Sequence, residues 1–239
     1  MKPTFSIVIC AYNEEKYIKE CLESVVRHAK GKFLEIIVVD NASTDRTREI
    51  AESVPGVRVV TESSKGLTKA RQCGLEHSKG DVIIYLDADT HITEGWIERA
   101  EKEYVHDAKL VCVSGLYRYK NLSWFSSMIV WIYWNIFSYP ISLITGYMVV
   151  GGNFAAKRQA LLDIGGFDTS IAFYGEDTDI GKRLHAVGHV KLLPSVYVYT
   201  SSRRLENEGV ARTGARYIQN FFSIVWKGKP ATKDYTDFR

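Results

Sequence analysis

Short apolar runs alternate with helix-patterned stretches over residues 5–86, and this alternation constrains the fold more than any other feature of the chain. The apolar runs are typical of buried strands and cover residues 5–10, 33–39, 57–60 and 81–86. Helical periodicity covers residues 14–28, a stretch from about residue 45, and residues 67–77. Strands and helices that alternate at this spacing predict an α/β fold with a doubly wound, mostly parallel sheet flanked by helices.

Polar side chains follow three of the four predicted strands. They are Tyr12 to Glu14, Asp40 with Asn41, and Asp87 to Asp89. Ligands of doubly wound sheets bind beyond the carboxyl ends of the strands, so we expect these groups to share one edge. The carboxylates of Asp87 and Asp89 suit a hard cation such as Mg²⁺ or Mn²⁺, which can in turn hold a diphosphate. A solvated turn would explain these two acids alone, but polar groups at three strand ends favour the metal site.

The composition argues against several other classes of protein. The chain has 31 Lys and Arg against 28 Asp and Glu, a net charge of +3, and it lacks the basic block that nucleic acid binding requires. The four cysteines form no Cys-x-x-Cys pair, so we expect reduced, buried thiols, as in cytosolic proteins, and no zinc site. Because the first strand begins at Phe5, we expect no secretory signal.

Residues 121–156 contain no charged side chain and are rich in Trp, Tyr and Phe. A membrane-spanning helix needs about 20 predominantly apolar residues, and serine, asparagine and proline interrupt this run. Because the amphipathic rings of Trp and Tyr favour the membrane interface, the segment predicts a helix that lies on a membrane surface. A buried helix pair and an oligomer contact are the alternatives.

The rest of the chain contains further strands and helices and a basic end. The pattern predicts a strand over residues 151–156, helices over 157–164 and 176–187, short strands over 190–193 and 196–199, and a final helix over about 207–226. Residues 203–239 hold eight Lys or Arg and four Asp or Glu, and the final helix has an apolar stripe. A basic amphipathic end of this kind suits an anionic membrane surface, with a solvated face as the alternative.

Five blocks of the sequence, in this order and spacing, resemble the family-2 glycosyltransferases, which are inverting enzymes with the GT-A nucleotide-sugar-binding fold and its mixed sheet. The blocks are residues 6–15, 36–45, 70–74, 81–89, and 165–168 with 175–179. The resemblance covers about residues 4–200.

The resemblance also implies a division of the chain. The GT-A domain would cover residues 1–200, with a nucleotide-binding half at 1–119, an aromatic helical insertion at about 121–148 and an acceptor-side half at 150–200. A basic amphipathic C-terminal helix and tail would follow at 201–239.

The same resemblance implies which residues bind the nucleoside of the donor. Ala11, Tyr12 and Glu14 would line the pocket of the base and the ribose. Asp40 would accept a hydrogen bond from uracil or another base. Arg71 would lie near the base or the diphosphate.

The diphosphate end of the donor site would hold the metal. By resemblance, Asp89 would ligate Mn²⁺ or Mg²⁺ directly, and Asp87, on the other side of Ala88, would hold the ribose or a metal-bound water. Some related enzymes carry a metal-binding His where this chain has Arg203 and Arg204. Arginine there would contact phosphate oxygens, and a solvated pair is the alternative.

His91 follows the two acids at the diphosphate end closely and could approach the metal. A lone histidine more often packs or faces solvent, so we do not expect it to be a ligand.

The acceptor side is implied by the last block and by a glycine pair. Asp177 matches the family's catalytic base, with Glu176 beside it, and base catalysis contributes roughly 10²–10⁴-fold to a rate. Stabilisation of a helix dipole is the alternative for these acids. Gly151, Gly152 and Asn153 would line the acceptor side, where missing side chains let the backbone approach a substrate.

Together these features predict a metal-dependent inverting glycosyltransferase that uses a nucleotide-diphosphate sugar, with UDP as the expected nucleotide. The uncharged aromatic segment predicts a membrane-associated acceptor, such as a glycan or a lipid-linked sugar, and a peripheral enzyme at the inner, cytoplasmic face of the cell membrane. A nucleotidyltransferase and an inactive nucleotide-sugar-binding scaffold are the alternatives. The sequence lacks the G-x-G-x-x-G loop of a dehydrogenase.

Overall fold

The computed structural model describes residues 2–119, 122–171 and 173–232. Its strands are β1 (Phe5–Ala11), β2 (Glu35–Asp40), β3 (Val57–Thr61), β4 (Val82–Asp87), β5 (Thr90–Ile92), β6 (Leu110–Tyr119), β7 (Asn153–Lys157) and β8 (His189–Thr200). Its α-helices are α1 (Ile18–Ala29), α2 (Thr47–Glu52), α3 (Leu67–His77), α4 (Trp96–His106), α5 (Trp124–Ile132), α6 (Tyr139–Thr145), α7 (Arg158–Asp163), α8 (Glu176–His185), α9 (Arg203–Glu208) and α10 (Val210–Lys227). A π-helical stretch, Tyr133–Ser138, joins α5 to α6.

The strands form one mixed sheet in the order β3-β2-β1-β4-β7-β6-β8-β5. The four predicted N-terminal strands are confirmed and pair in parallel, so their carboxyl ends share one edge. Strand β7 runs antiparallel between β4 and β6. The predicted α/β fold is therefore confirmed, and an antiparallel strand from the second half of the chain lies at the centre of its sheet.

The core lies on both faces of this sheet, as the near-continuous apolar runs predict. Ile7 and Ile9 of β1 pack with Trp96 of α4 on one face. Val8 and Tyr85 pack on the other face, where α3 and α8 lie. Each fully buried large apolar side chain contributes about 1.5–3 kcal/mol of transfer free energy, so the strands that carry the site are held rigidly.

Two predicted elements near the C-terminus differ in the structure. The short strands predicted at 190–193 and 196–199 are one strand, β8, because its pairing with β6 continues across an irregularity in register. The predicted final helix is two helices, α9 and α10. They are separated at Gly209, whose φ of +83° breaks helical geometry.

The aromatic segment is a continuous helical rod, Trp124–Thr145, made of α5, the π-helical stretch and α6. Among the described residues it is the one helix long and apolar enough to cross a membrane, a test of length and composition alone. Little of the rod is buried. Phe137 of the rod packs against Phe222 of α10, with ring centroids 6.3 Å apart. A buried helix pair is thus excluded for these residues, since they form one exposed rod.

Candidate active site

A cleft of about 620 Å³ opens beyond the carboxyl ends of β1 and β4. Its size is in the range of small-molecule sites. The aromatic rod, α8, α9 and α10 form the opposite walls. Its charged lining residues are Glu14, Arg71, Asp87, Asp89, Glu176, Asp177, Arg203 and Arg204. The structure therefore brings the predicted diphosphate end of the donor site and the predicted catalytic acids into one cavity.

Arg203 joins two of the acids at the sheet edge. Its Nη1 and Nη2 lie 2.8 and 2.5 Å from the carboxylate oxygens of Glu14, and Nη2 lies 3.1 Å from Oδ2 of Asp89. Burial disfavours the charge on Arg203, but its hydrogen bonds to Glu14 and the charge on Asp89 outweigh this and raise the pKa of the guanidinium. A fixed cation thus stands beside the predicted metal-ligating carboxylate, where it would also attract phosphate oxygens.

Asp87 is positioned by Tyr117, a residue that no motif in the sequence marks. Tyr117 of β6 donates its hydroxyl proton to Oδ2 of Asp87 at 2.8 Å, and the same hydroxyl accepts from the backbone N–H of Gly152 at 2.9 Å. A Cβ at Gly152 would lie 2.0 Å from Oδ2 of Asp87 and 2.3 Å from the Tyr117 hydroxyl. Glycine is required here so that these two side chains can fit. The expectation that Gly152 lines the acceptor side stays a prediction.

Arg71 lies under the cleft, between Asp87 and Glu176. Its side chain is 2% exposed, Nη1 lies 3.2 Å from Oε1 of Glu176, and Nη2 lies 3.6 Å from Oδ1 of Asp87. Burial alone would lower the pKa of Arg71, but the charges on Glu176 and Asp87 raise it above its usual value. Arg71 was predicted to lie near the base or the diphosphate. The structure places it beside Asp87, at the predicted diphosphate end, where it also contacts Glu176 of α8.

The two predicted catalytic acids begin α8 and differ in their partners. Glu176 is engaged by Arg71, whereas Asp177 accepts a hydrogen bond from the backbone N–H of Thr178 at 2.8 Å. Burial raises the pKa of both carboxyls, and the neighbouring charge of Asp177 adds to the effect on Glu176. A carboxylate with a raised pKa is a better proton acceptor. Asp177 therefore suits the role of base better than Glu176, which is held by an arginine.

The predicted base pocket lies beside the cleft, on the same sheet edge. Ala11 pairs in register with Asp40, and Oδ1 of Asp40 accepts from the backbone N–H of Ser43 at 3.2 Å. Nζ of Lys65 lies 3.9 Å above the ring of Tyr12. Neither Ala11, Tyr12 nor Asp40 lines the 620 Å³ cleft. Glu14, which was predicted for the same pocket, does line the cleft. The structure thus separates Ala11, Tyr12 and Asp40, but not Glu14, from the predicted diphosphate end.

Asn153 does not line the acceptor side, so this prediction is wrong. Its side chain is fully buried, and Oδ1 accepts from the indole N–H of Trp96 at 2.9 Å. Its Nδ2 donates to the carbonyl oxygens of Leu116 at 3.0 Å and Val196 at 3.4 Å. The strand alternation of β7 directs this amide to the face of the sheet on which Trp96 of α4 packs. Gly151 and Gly152 do line the cleft.

The donor atoms at the sheet edge suit a hard divalent cation in part. Within the described ranges, no group of three or more His, Cys, Asp or Glu side chains is placed to hold a metal. Mg²⁺ is commonly held by one or two carboxylates together with phosphates and water. Asp87 and Asp89 supply such oxygens, so the site fits a cation that arrives with a diphosphate. His91, which follows these two acids, has its Nε2 atom 3.5 Å from Oε2 of Glu20, a residue outside the cleft lining.

The cysteines supply no nucleophile. All four are free thiols, as predicted. Burial raises the pKa of Cys10, which lines the cleft, to about 12. A thiol with this pKa carries almost no thiolate at neutral pH.

Comparison with known proteins gives a consistent result. The family model described as "Glycosyl transferase family 2" matches residues 6–165. The glycosyltransferase AglE of Haloferax volcanii is 35% identical over 104 residues, which cover 41% of this chain and 34% of AglE. The chain thus spans about a third of this curated relative.

Two solved structures resemble the whole chain. One is the mannosyltransferase PcManGT of Pyrobaculum calidifontis in complex with GDP-Man and Mn²⁺, with a TM-score of 0.73 at 22% identity. The match covers 95% of this chain and 65% of the PcManGT chain. TarS 1-349 of S. aureus, in complex with UDP-GlcNAc, has a TM-score of 0.65 at 17% identity, with coverages of 93% and 73%. Likeness at this level of identity shows a shared fold.

Proposed function

The chain belongs to glycosyl transferase family 2, and from this premise we propose that it transfers a sugar, with inversion, from a nucleotide-diphosphate donor to an acceptor hydroxyl. One observation carries the proposal. Glu14, Asp87 and Asp89 at the sheet edge share a single cleft with Asp177 at the start of α8. A transferase needs this pairing, because the leaving diphosphate and the attacking hydroxyl lie on opposite sides of the same anomeric carbon.

The donor would lie along the sheet edge, with its base near Tyr12 and Asp40 and its diphosphate at Asp89 and Arg203. UDP is our first choice of nucleotide. The solved relatives support a nucleotide sugar in general, since one contains GDP-Man and another UDP-GlcNAc. Arg203 would exchange its contacts with Glu14 and Asp89 for phosphate oxygens, because a guanidinium binds phosphate in the same forked geometry as carboxylate.

A divalent cation would be held by Asp89 and Asp87 together with the donor. Mn²⁺ is present in the complex of PcManGT, and Mg²⁺ has the same preference for oxygen ligands. When bound, such a cation stabilises negative charge that develops on the leaving diphosphate.

The transfer would then be completed by residues of α8. The acceptor oxygen forms a bond to the anomeric carbon, and the bond from that carbon to the diphosphate oxygen breaks. The nucleoside diphosphate leaves with the bonding electron pair. Asp177 takes the proton of the acceptor hydroxyl, while Arg71 holds Glu176 away from that role. Attack from the face opposite the diphosphate inverts the anomeric centre.

The nucleotide dependence of thermal stability tests this proposal. UDP, GDP, ADP and CDP would each be added to the full chain with and without Mn²⁺. One of them should raise the melting temperature, because a ligand that binds the folded state stabilises it by about 2.7 kcal/mol at 100 times its Kd. The shift should appear only when Mn²⁺ is present, since the cation is proposed to bind together with the diphosphate. The stabilising nucleotide sugar should then release its nucleoside diphosphate when an acceptor is supplied. No shift with any nucleotide would contradict the proposal.

We further propose that the enzyme rests on the inner face of the cell membrane and contacts it through residues 121–148 and the C-terminal helix. Trp124 and Trp131 of the rod are 79% and 58% exposed, and Trp226 at the end of α10 is 75% exposed. Exposed tryptophans on adjacent helices are typical of interfacial binding. The acceptor would accordingly be a membrane-associated glycan or a lipid-linked sugar.

Flotation with anionic vesicles tests the membrane contact. Changing Trp124 and Trp131 together to Ser should strongly reduce flotation and leave thermal stability unchanged, since both rings are largely exposed. Trp134 is left intact because it packs against the core. The matched control changes Leu34 and Val105, each 56% exposed elsewhere on the surface, to Ser. Equal flotation of both double variants and the unaltered chain would contradict this contact.

A further inference from the structure

The cleft has an apolar half that the transfer reaction, as described, does not use. It lies between the aromatic rod and α10, and its walls include Ile129, Tyr133, Phe137, Val210 and Ile218. A sugar and a diphosphate are strongly hydrated, so they do not require apolar walls of this kind. A hydrocarbon chain, in contrast, is stabilised when such walls remove its surface from water. The apolar half therefore indicates a ligand with a hydrocarbon part.

This apolar half is continuous with the catalytic acids. Tyr217 of α10 lines the cleft, and its ring centroid lies 5.9 Å from that of Tyr174, which precedes α8 by two residues. Burial raises the pKa of Tyr217 well above its usual value, and the charges on Asp177 and Glu176 contribute to this increase. A ligand whose hydrocarbon part lies between the rod and α10 would thus have its other end beside Asp177.

A cation stands where the apolar half meets the acids. The guanidinium of Arg204 lies 4.6 Å from the ring centroid of Phe173, and its Nη1 donates to the hydroxyl of Tyr174 at 3.3 Å. Arg216 of α10 donates to the same hydroxyl at 3.1 Å. Arg203, the neighbour of Arg204, faces the donor acids instead. The two adjacent arginines therefore face different parts of the cleft, and Arg204 complements an anion at the end of the apolar half.

We propose that the apolar half and Arg204 form the binding site of a lipid acceptor that has a hydrocarbon chain and a phosphate-bearing head group. This inference rests on the proposed function, because it names the acceptor of that reaction. The chain of the lipid would lie between the rod and α10, its phosphate at Arg204, and the hydroxyl it presents beside Asp177. The exposed tryptophans of the rod and of α10 lie on the outside of the same helices, so the lipid could enter from a bilayer.

The test measures binding of a soluble lipid analogue to the full chain. Dodecyl phosphate, dodecanol and inorganic phosphate would each be titrated by calorimetry, with the two amphiphiles kept below the concentrations at which they aggregate. Dodecyl phosphate should bind, and each of the other two should bind at least about tenfold more weakly, which corresponds to about 1.4 kcal/mol. This pattern requires both a hydrocarbon chain and a phosphate in one ligand.

Two kinds of variant locate the site. Ile218→Asp and Ile129→Asp place a charge on opposite walls of the apolar half, and Arg204→Gln removes the cation. Each should weaken binding of dodecyl phosphate about tenfold or more, because burial of an unpaired charge and loss of a phosphate contact are both costly. The matched controls are Val105→Asp at an exposed position of α4 and Arg212→Gln at an exposed position of α10, and both should bind normally.

Three outcomes would overturn the inference. Equal binding of dodecyl phosphate and inorganic phosphate would show a simple anion site, and unchanged binding by the wall variants would place the lipid elsewhere. A dimer that covers the rod in solution, detected by light scattering, would show that a second copy occupies this face. The nucleotide-dependent thermal shift is measured on every variant. If the shift persists while lipid binding fails, the proposed function stands without this acceptor. If the shift is lost while lipid binding is intact, the lipid site stands and the proposed function fails.

Discussion

The two sides of the cleft are built on different principles. On the donor side, each acid follows a buried strand and has a fixed partner: Arg203 for Glu14 and Asp89, and Tyr117 for Asp87. On the opposite side, much of the wall is the aromatic rod, whose large side chains are mostly exposed, including Leu143 at 69% and Ile144 at 84%.

The difference shows how position is specified in this molecule. On the donor side, strand register places Cys10 beside Asp87 and Ala11 beside Asp40, so the polar residues that follow must converge. On the other side, the position of each residue depends on how the rod and α10 pack against each other and against α8. The donor side should therefore respond to substitution as a rigid site, and the wall as a surface with little influence on stability.

The largest effect is expected at Asp177, the proposed catalytic base at the start of α8. Asp177→Asn should lower the transfer rate by roughly 10²–10⁴-fold, because an amide cannot take the acceptor proton. Binding of the nucleotide should be retained, since the donor side is unchanged. The measurement is the initial rate of nucleoside diphosphate release together with the nucleotide-dependent thermal shift.

The control for this variant lies two residues along the same helix. Asp179 forms an ion pair with Arg183 at 2.7 Å, so Asp179→Asn should leave the transfer rate nearly unchanged. Equal loss of activity in both variants would mean that the start of α8 acts through its structure and not through a specific base.

A smaller effect, on ligand binding, is expected at the donor edge. Asp89→Asn should remove most of the metal-dependent stabilisation by nucleotide, about 2–3 kcal/mol at saturating ligand. Addition of EDTA to the unaltered chain should have the same result. Thermal denaturation with and without nucleotide and Mn²⁺ measures both effects.

The matched control is the carboxylate at the other end of the same strand. Asp81 accepts hydrogen bonds from Thr4 and lies just before β4. Asp81→Asn should leave the nucleotide effect intact, because ligands bind at the carboxyl ends of parallel strands. An intact effect in Asp89→Asn would refute the rigid donor site proposed here.

The next effect is on folding and compares two asparagines. Asn153→Ala should lower the free energy of unfolding by roughly 1–3 kcal/mol for each buried group that loses its partner, among them the indole N–H of Trp96. Asn135 of the exposed rod donates to the carbonyl of Trp131, and Asn135→Ala should cost no more than about 0.5 kcal/mol. Urea denaturation measures both, and a similar cost at the two positions would contradict the contrast between sheet and wall.

The smallest effect is a dependence on pH. Since burial raises the pKa of Asp177 in the folded state, the folded chain holds this proton more tightly than the unfolded chain does. Its contribution to stability is therefore complete at low pH and is lost as the pH rises through the raised pKa. The transfer rate should change in the opposite direction, because only the deprotonated carboxylate can act as a base.

Comparison with Asp177→Asn separates the adjacent acids of α8 from the other carboxyls, since the charge on Asp177 also raises the pKa of Glu176. The difference in the free energy of unfolding between the unaltered chain and the variant should become less favourable to the unaltered chain as the pH increases. A difference that does not vary with pH would show that Asp177 has an ordinary pKa in the folded chain.

The donor side of this protein could be predicted from its sequence pattern. Alternating strands and helices have few ways to pair, so the carboxyl ends of β1, β2 and β4, and with them Glu14, Asp40, Asp87 and Asp89, had to meet at one edge. The first turn of α8 was likewise marked by its adjacent acids.

The arrangement of the remaining residues depends on long-range contacts in the folded chain. Strand β7 enters the sheet antiparallel between β4 and β6, which buries Asn153 and brings Tyr117 to Asp87. Arg71 joins Asp87 to Glu176 although 105 residues separate it from the latter. Gly209 divides the last helix so that Arg203 and α10 can reach different parts of the cleft. These contacts depend on side chains far apart in the chain, whose approach no local periodicity records.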